Sequence, residues 1–227
     1  REKAVKDHEL LLDAKRSATG DPEATLRPWD VGYYMERVRE RDYEVDSNKV
    51  REYFPFDKVR DGLFEITQHL YGIDYVALDA PEDAPLWHED VEYFKVVDRA
   101  TGATLGEFFM DMYPRPEDNK YGHAAQWGLV PRKAWTSKSI QTPVAALVCN
   151  FPKPTEDRPS LLSHDQAETF FHEFGHCLHT ILTESETARF AGTSVERDFV
   201  EAPSQMFEAW VWSPETLPML SGHYQTG

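Results

Sequence analysis

The sequence predicts an α+β fold that is mainly helical, with a small antiparallel or mixed β-sheet in its middle. Three observations predict it. Apolar residues recur at helical spacing before residue 72 and again after residue 163. Between those stretches lie runs rich in Val, Phe and Tyr, punctuated by turns containing Gly and Pro. Ser163 stands three residues before Gln166 at the head of the last long amphipathic run, the pattern of a capping box. The 227 residues are expected to form part of one domain in three stretches: helical over 1–72, sheet over 73–152, and helical again over 153–227.

The elements follow in order. Residues 1–18 read as a polar helix carrying Leu10, Leu11 and Leu12, and Gly20, Pro22 and Pro28 break it. Residues 29–43 read as a helix with Val31, Tyr34 and Val38 on one face. A further helix is expected over 56–71, with Val59, Leu63, Ile66 and Leu70 aligned and Gly72 as the stop. The segment "DAPEDAP" is a loop, and "VEYFKVVDRATGATLGEFFMDMYP" gives two strands around a turn. "TPVAALVCNFP", 142–152, reads as another strand whose flanking Pro143 and Pro152 suit an end or edge position. After Ser163 the chain returns to helix through "AETFFHEFGHCLHTIL", 167–182, and further helices cover about 202–212 and 213–221. Arg115 and Lys120, just past the paired strands, are expected to be solvated.

Charge narrows the range of partners. Asp+Glu 40 against Lys+Arg 24 gives a net charge of −16, which repels phosphate backbones and anionic lipid. Nucleic acid and membrane surfaces are therefore not expected as partners. Two cysteines, Cys149 and Cys177, make no CxxC pair and no disulfide framework, so a reducing, cytoplasmic compartment is expected. No stretch approaches the roughly 18 apolar residues of a membrane span, and no signal peptide is visible.

The chemistry concentrates in "FFHEFGHCLHT". On a helix, residues four apart lie one above the other, so His172 and His176 point the same way and both imidazoles can ligate one metal. Glu173 projects about 100° round from His172, within reach of a water on that metal. Catalytic zinc takes three protein ligands and keeps a fourth position open. Glu196, Asp198, Glu201 and Glu208 follow downstream, and spacing does not choose among them. Glu168, one turn before His172, shares its face and is placed to accept the other imidazole N–H. His179 would close the open position, so it is read as supporting or structural, and Cys177 as a small buried hydrophobe.

These blocks resemble a known family. "FHEFGHCLH" followed by "GTSVERDFVEAPSQMFEAWVW" is similar to the zinc-binding region of the thimet oligopeptidase–neurolysin family of metallopeptidases. "WDVGYYMERV", "EYFPFDKVRDGLFEI", "LWHEDVEYFKVVD", "GEFFMDMYPR" and "KYGHAAQWG" resemble its catalytic domain in the same order, over roughly residues 26–227. The resemblance implies a zincin-like catalytic domain with one Zn2+ per chain, held by His172, His176 and Glu201, with Glu173 as general base. It implies Glu168 and Glu208 as supports of the histidines, "PVAALVCNF" as an edge strand that binds extended substrate through Ala145, Ala146 and Leu147, and Gly192 and Thr193 in a loop beside the cleft. The family's Gly- and Tyr-rich oxyanion loop has no counterpart before "SGHYQTG", so the sequence is expected to be an internal piece of a larger enzyme, with turnover weak or absent.

The expected function is zinc-dependent hydrolysis of peptide bonds in short oligopeptides by a monomeric protein. Two other readings stand beside it. One is a non-catalytic, zinc-clamped or peptide-binding module, against which Glu173 argues, because a purely structural site needs no base beside its ligand. The other is an HExxH hydrolase of a non-peptide amide, against which a strand edge that reads peptide backbone argues.

Overall fold

A computed structural model describes residues 1–79, 85–136 and 139–227. The loop expected over 79–85 therefore lies, apart from its two end residues, outside the described residues. The chain divides into two compact units, Arg1–Arg51 and Glu52–Gly227.

The first unit is helical. Helix α1 (Glu2–Thr19) stops at Gly20, whose φ of 68° is left-handed backbone that glycine adopts without strain. Helix α2 (Pro28–Tyr43) begins with proline in its first turn, where no intrahelical N–H is needed. The Asp30 carboxylate accepts the Arg27 backbone N–H there and pairs with Lys15 of α1. Tyr34 and Val38 are buried, as their spacing predicts. A short helix α3 (Ser47–Arg51) ends the unit.

The second unit carries the sheet. Helix α4 (Phe56–Tyr71) ends at Gly72 with φ 63°, and it buries Val59, Leu63 and Ile66. Leu70 differs from its expected place, being 50% exposed in the last turn. Strands β1 (Ile73–Leu78), β2 (Val91–Asp98) and β3 (Thr104–Asp111) form an antiparallel meander, with "RATGAT" joining β2 to β3 as read. Strand β4 (Ala125–Val130) precedes a separate antiparallel pair, β5 (Lys133–Thr136) and β6 (Ser139–Gln141). Strand β7 (Val144–Val148) then enters between β3 and β4, parallel to β3 and antiparallel to β4, giving the order β1-β2-β3-β7-β4. The sheet is mixed and the class is α+β.

That order corrects the edge-strand expectation for 142–152. A strand paired on both sides has no free ladder to offer, and Ala145, Ala146 and Leu147 are 0%, 5% and 0% exposed. The proline-bounded ends suggested an edge, but Pro143 and Pro152 both fall outside the five residues that pair. Among the described residues the outer strand on this side is β4.

Helix α5 (His164–Ile181) packs on β7, β4 and β3. The contact layer is aromatic. Phe108 stacks on Phe94 with ring centroids 5.2 Å apart and meets Phe174 edge-on at 5.6 Å, while Phe64 of α4 lies 5.7 Å from Phe174. Helix α6 (Glu201–Trp212) lies along α5, and α7 (Leu217–Leu220) packs on α4. The helix expected over 213–221 is thus a turn followed by four helical residues.

Arg115 and Lys120 are a second correction. Both side chains are almost wholly buried. The Arg115 guanidinium forks onto Asp111 with two contacts of 2.6 Å, and Lys120 reaches Asp111 at 2.9 Å and the Cys149 carbonyl at 2.7 Å. Trp87 Nε1 donates to the same carboxylate at 2.9 Å. Burial pushes the Asp111 carboxyl up, but the hydrogen bonds from Arg115, Trp87 and Lys120 outweigh it and hold it at about 2.

Candidate metal centre

Helix α5 starts as its sequence dictates. Ser163 Oγ accepts the Gln166 backbone N–H at 3.1 Å, and the Gln166 side chain returns a bond to the Ser163 N–H at 2.9 Å. The helix buries Phe170, Phe171, Phe174, Cys177 and Leu178 and leaves His172, Glu173 and His176 partly accessible. Gly175 faces α6 at very short range: a Cβ there would stand 2.8 Å from the Ser204 Cα. The two helices can approach that closely only because residue 175 has no side chain.

Glu201 is the first residue of α6. Pro203 sits in that first turn, where the backbone N–H it lacks has no helical acceptor. This geometry aims the Glu201 carboxylate at α5. Its Oε2 lies 3.2 Å from His172 Nε2 and 3.0 Å from His176 Nε2. One donor atom from each of these three residues falls within 4.8 Å of the others. Two donors on a tetrahedral zinc, with bonds of about 2.0–2.2 Å, stand about 3.3–3.5 Å apart. The nitrogen, nitrogen and oxygen donors therefore fit zinc in kind and nearly in spacing.

The tautomer fits as well. His172 Nδ1 lies 2.6 Å from Glu208 Oε1, so Nδ1–H donates to the carboxylate and Nε2 keeps its lone pair toward Glu201. His176 Nδ1 is buried and has no hydrogen-bond partner among the described residues, and the same holds for His179 Nδ1. Burial pushes the His176 imidazole down, with Glu201 opposing, and favours the neutral ring that binds a metal. Burial pushes the Glu173 carboxyl up, opposed by His172 and reinforced by Glu201. Burial would also push Glu201 up, but the Ser204 hydroxyl and the two histidines prevail and hold it down.

The remaining expected residues are distributed unevenly. Glu208 meets His172, whereas Glu168 groups with His164 and Asp165 at the start of α5 and makes no hydrogen bond to His172 or His176 among the described residues. Glu196 and Asp198 lie in the turns before α6, and their side chains do not join the three-residue group. Gly192, at φ 58°, abuts the Thr180 backbone one turn beyond His176, with Thr193 next to it. Ala145, Ala146 and Leu147 lie in the interior of the sheet. Cys177 and Cys149 are buried free thiols, both pushed up chiefly by burial.

Two contributors escaped the sequence reading. Ser204, fully buried, has its Oγ 3.0 Å from Glu201 Oε2 and 2.9 Å from the Glu201 carbonyl. A small hydroxyl residue one turn after a candidate ligand is the signal that could have found it. Gln126 of β4 donates its side-chain amide to Thr180 Oγ1 at 3.2 Å, which ties the outer strand to the metal-facing side of α5. Nothing in its own strand pattern marked it.

A family model described as peptidase family M3 matches residues 1–227. The chain is 46% identical over 231 residues to the thimet-like oligopeptidase of Dictyostelium discoideum, covering 98% of this chain and 34% of that protein. It is 42% identical over 203 residues to oligopeptidase A of Escherichia coli (strain K12), covering 89% and 29%. It is 40% identical over 203 residues to saccharolysin of Saccharomyces cerevisiae, covering 88% and 28%. The chain thus spans about a third of the length of the curated relatives it matches. With its HExxH helix, its facing glutamate and a family match along its whole length, the chain belongs to peptidase family M3.

Proposed function

We propose that this chain is the metal-binding and proton-transfer part of a zincin-like catalytic domain, 1–227 forming part of that domain, and that the domain hydrolyses peptide bonds in short peptides. The observation that carries the reading is the meeting of two imidazole Nε2 atoms, from one turn of α5, at a single carboxylate oxygen of α6. The names of the relatives, oligopeptidases among them, supply the substrate class.

His172 Nε2, His176 Nε2 and Glu201 Oε2 would hold one zinc ion. Zinc in such a set supplies Lewis acidity toward water and toward a carbonyl oxygen. Glu173, beside His172 and made more basic by burial, takes the proton from the attacking water at its carboxylate and delivers it to the leaving amine nitrogen. Glu208 fixes the His172 ring through Nδ1. The substrate-pairing edge falls to β4, where Trp127 and Leu129 are 41% and 51% exposed and the strand is tied to α5 through Gln126. Gly192 and Thr193 would border the same groove. A monomeric protein in a reducing, cytoplasmic setting belongs to this reading, and the two buried free thiols support the compartment.

The test compares wild type with Glu201→Gln and Glu173→Gln. Wild type is expected to carry about one equivalent of zinc, Glu201→Gln much less, and Glu173→Gln the wild-type amount. Hydrolysis of an internally quenched peptide by the full-length protein is expected to fall by at least 100-fold in Glu173→Gln. Full zinc in Glu201→Gln refutes the ligand set, and an undiminished rate in Glu173→Gln refutes the base.

A further inference from the structure

Gly175 and Ser204 form the tightest crossing between the two helices of the centre. A Cβ at 175 would meet the Ser204 Cα at 2.8 Å, the Pro203 carbonyl oxygen at 3.3 Å and the Phe207 ring at 3.3 Å. The first two are backbone atoms, which cannot rotate away. Ser204 is fully buried, and its hydroxyl lies 3.0 Å from Glu201 Oε2, the oxygen that faces both imidazoles. The crossing therefore touches the candidate ligand through one covalent turn of helix and one hydrogen bond.

We propose that the Gly175–Ser204 contact is a positioning device that sets where the Glu201 carboxylate stands relative to His172 and His176, with Ser204 as the residue that orients it. This rests on the zinc reading given above. Gly175 determines how near α6 comes to α5, and Ser204 determines which way the Glu201 carboxylate turns once it is there. Neither residue touches the metal or the substrate, so both act through Glu201. Loss of a hydrogen bond that orients a ligand typically lowers metal affinity by about 10–100-fold. Alanine in a helix interior ordinarily stabilises it relative to glycine. At residue 175 the close contact opposes that gain.

The experiment measures zinc affinity of the full-length protein by chelator competition, beside its melting temperature in excess EDTA. The variants are Ser204→Ala, Gly175→Ala and Glu201→Gln. Ser204→Ala is expected to melt within a few degrees of wild type in EDTA and to bind zinc about tenfold or more weakly. A structural role alone would move the first reading and not the second. Gly175→Ala is expected to lose at least as much affinity and to gain no thermal stability. Wild-type affinity in both variants, with Glu201→Gln impaired, overturns this inference and leaves the ligand set standing. Absence of zinc uptake by wild type overturns the metal reading and this inference with it.

Discussion

Glu208 of α6 reaches across to His172 of α5, with Oε1 lying 2.6 Å from Nδ1, while Glu201 one face-repeat earlier meets the opposite nitrogen of the same ring. A histidine held at both nitrogens has one tautomer and one orientation. Glu208→Ala is expected to weaken zinc binding by about 10–100-fold through His172 alone. Isothermal titration with zinc checks it, and Glu208→Gln, which keeps an acceptor oxygen, should fall between wild type and alanine.

Zinc that binds only the folded chain must stabilise it. At free zinc of about 100 times the dissociation constant the gain is about 2.7 kcal/mol, a rise of several degrees in Tm for a chain of this length. EDTA should reverse the rise, and His176→Ala should abolish it. Differential scanning calorimetry at fixed protein concentration reads both.

The Asp111 cluster predicts an acid limit. Its folded-state pKa is held at about 2 against an ordinary value of 3.8, so the group stabilises the fold fully above about pH 4. That stability is lost as pH falls from about 4 through about 2, and the shift corresponds to on the order of 2 kcal/mol. Unfolding midpoints in urea between pH 5 and pH 2 should show this slope.

Asp111→Asn should lack that slope yet be less stable at neutral pH. The substitution leaves Arg115 and Lys120 buried without their countercharge, and breaking a buried pair on one side costs about 3–5 kcal/mol. Equilibrium unfolding at pH 7 tests it directly.

Phe108 and Leu70 make a contrast that sequence periodicity does not anticipate. Phe108 is fully buried between Phe94 and Phe174, and Phe108→Ala should cost about 3–5 kcal/mol. Leu70 continues the apolar stripe of α4 but is exposed in its last turn, so Leu70→Ala should change stability by less than about 0.5 kcal/mol.

Much of this was legible because it is local. A Gly after a helical stripe ends α4, a Ser/Gln pair starts α5, and "RATGAT" turns β2 into β3, all through interactions within a few residues. The histidine pair needed only the pitch of one helix. What the chain did not reveal by its own spacing depends on long-range pairing. Pro143 and Pro152 mark the ends of β7 but not its neighbours, and whether this strand is central or at the edge is decided by partners 14 to 37 residues away. Arg115 and Lys120 follow the paired strands as exposed cations would, and only their shared contact with Asp111 buries them. Glu201 was singled out by family resemblance, because four acids in the same block had equal claim by spacing.

The position of β7 has a consequence for how the chain is made. Strand β4 is synthesised before its ladder partner, and among the described residues that partner is β7. Residues 125–130 thus leave the ribosome with no strand beside them until Val144–Val148 has followed and aligned with β3. During that interval Trp127 and Leu129 sit on an unpaired strand, open to any other nascent chain with a free edge. A pause that falls after residues 125–130 have emerged and before Val144–Val148 has emerged would therefore prolong the exposure of this strand.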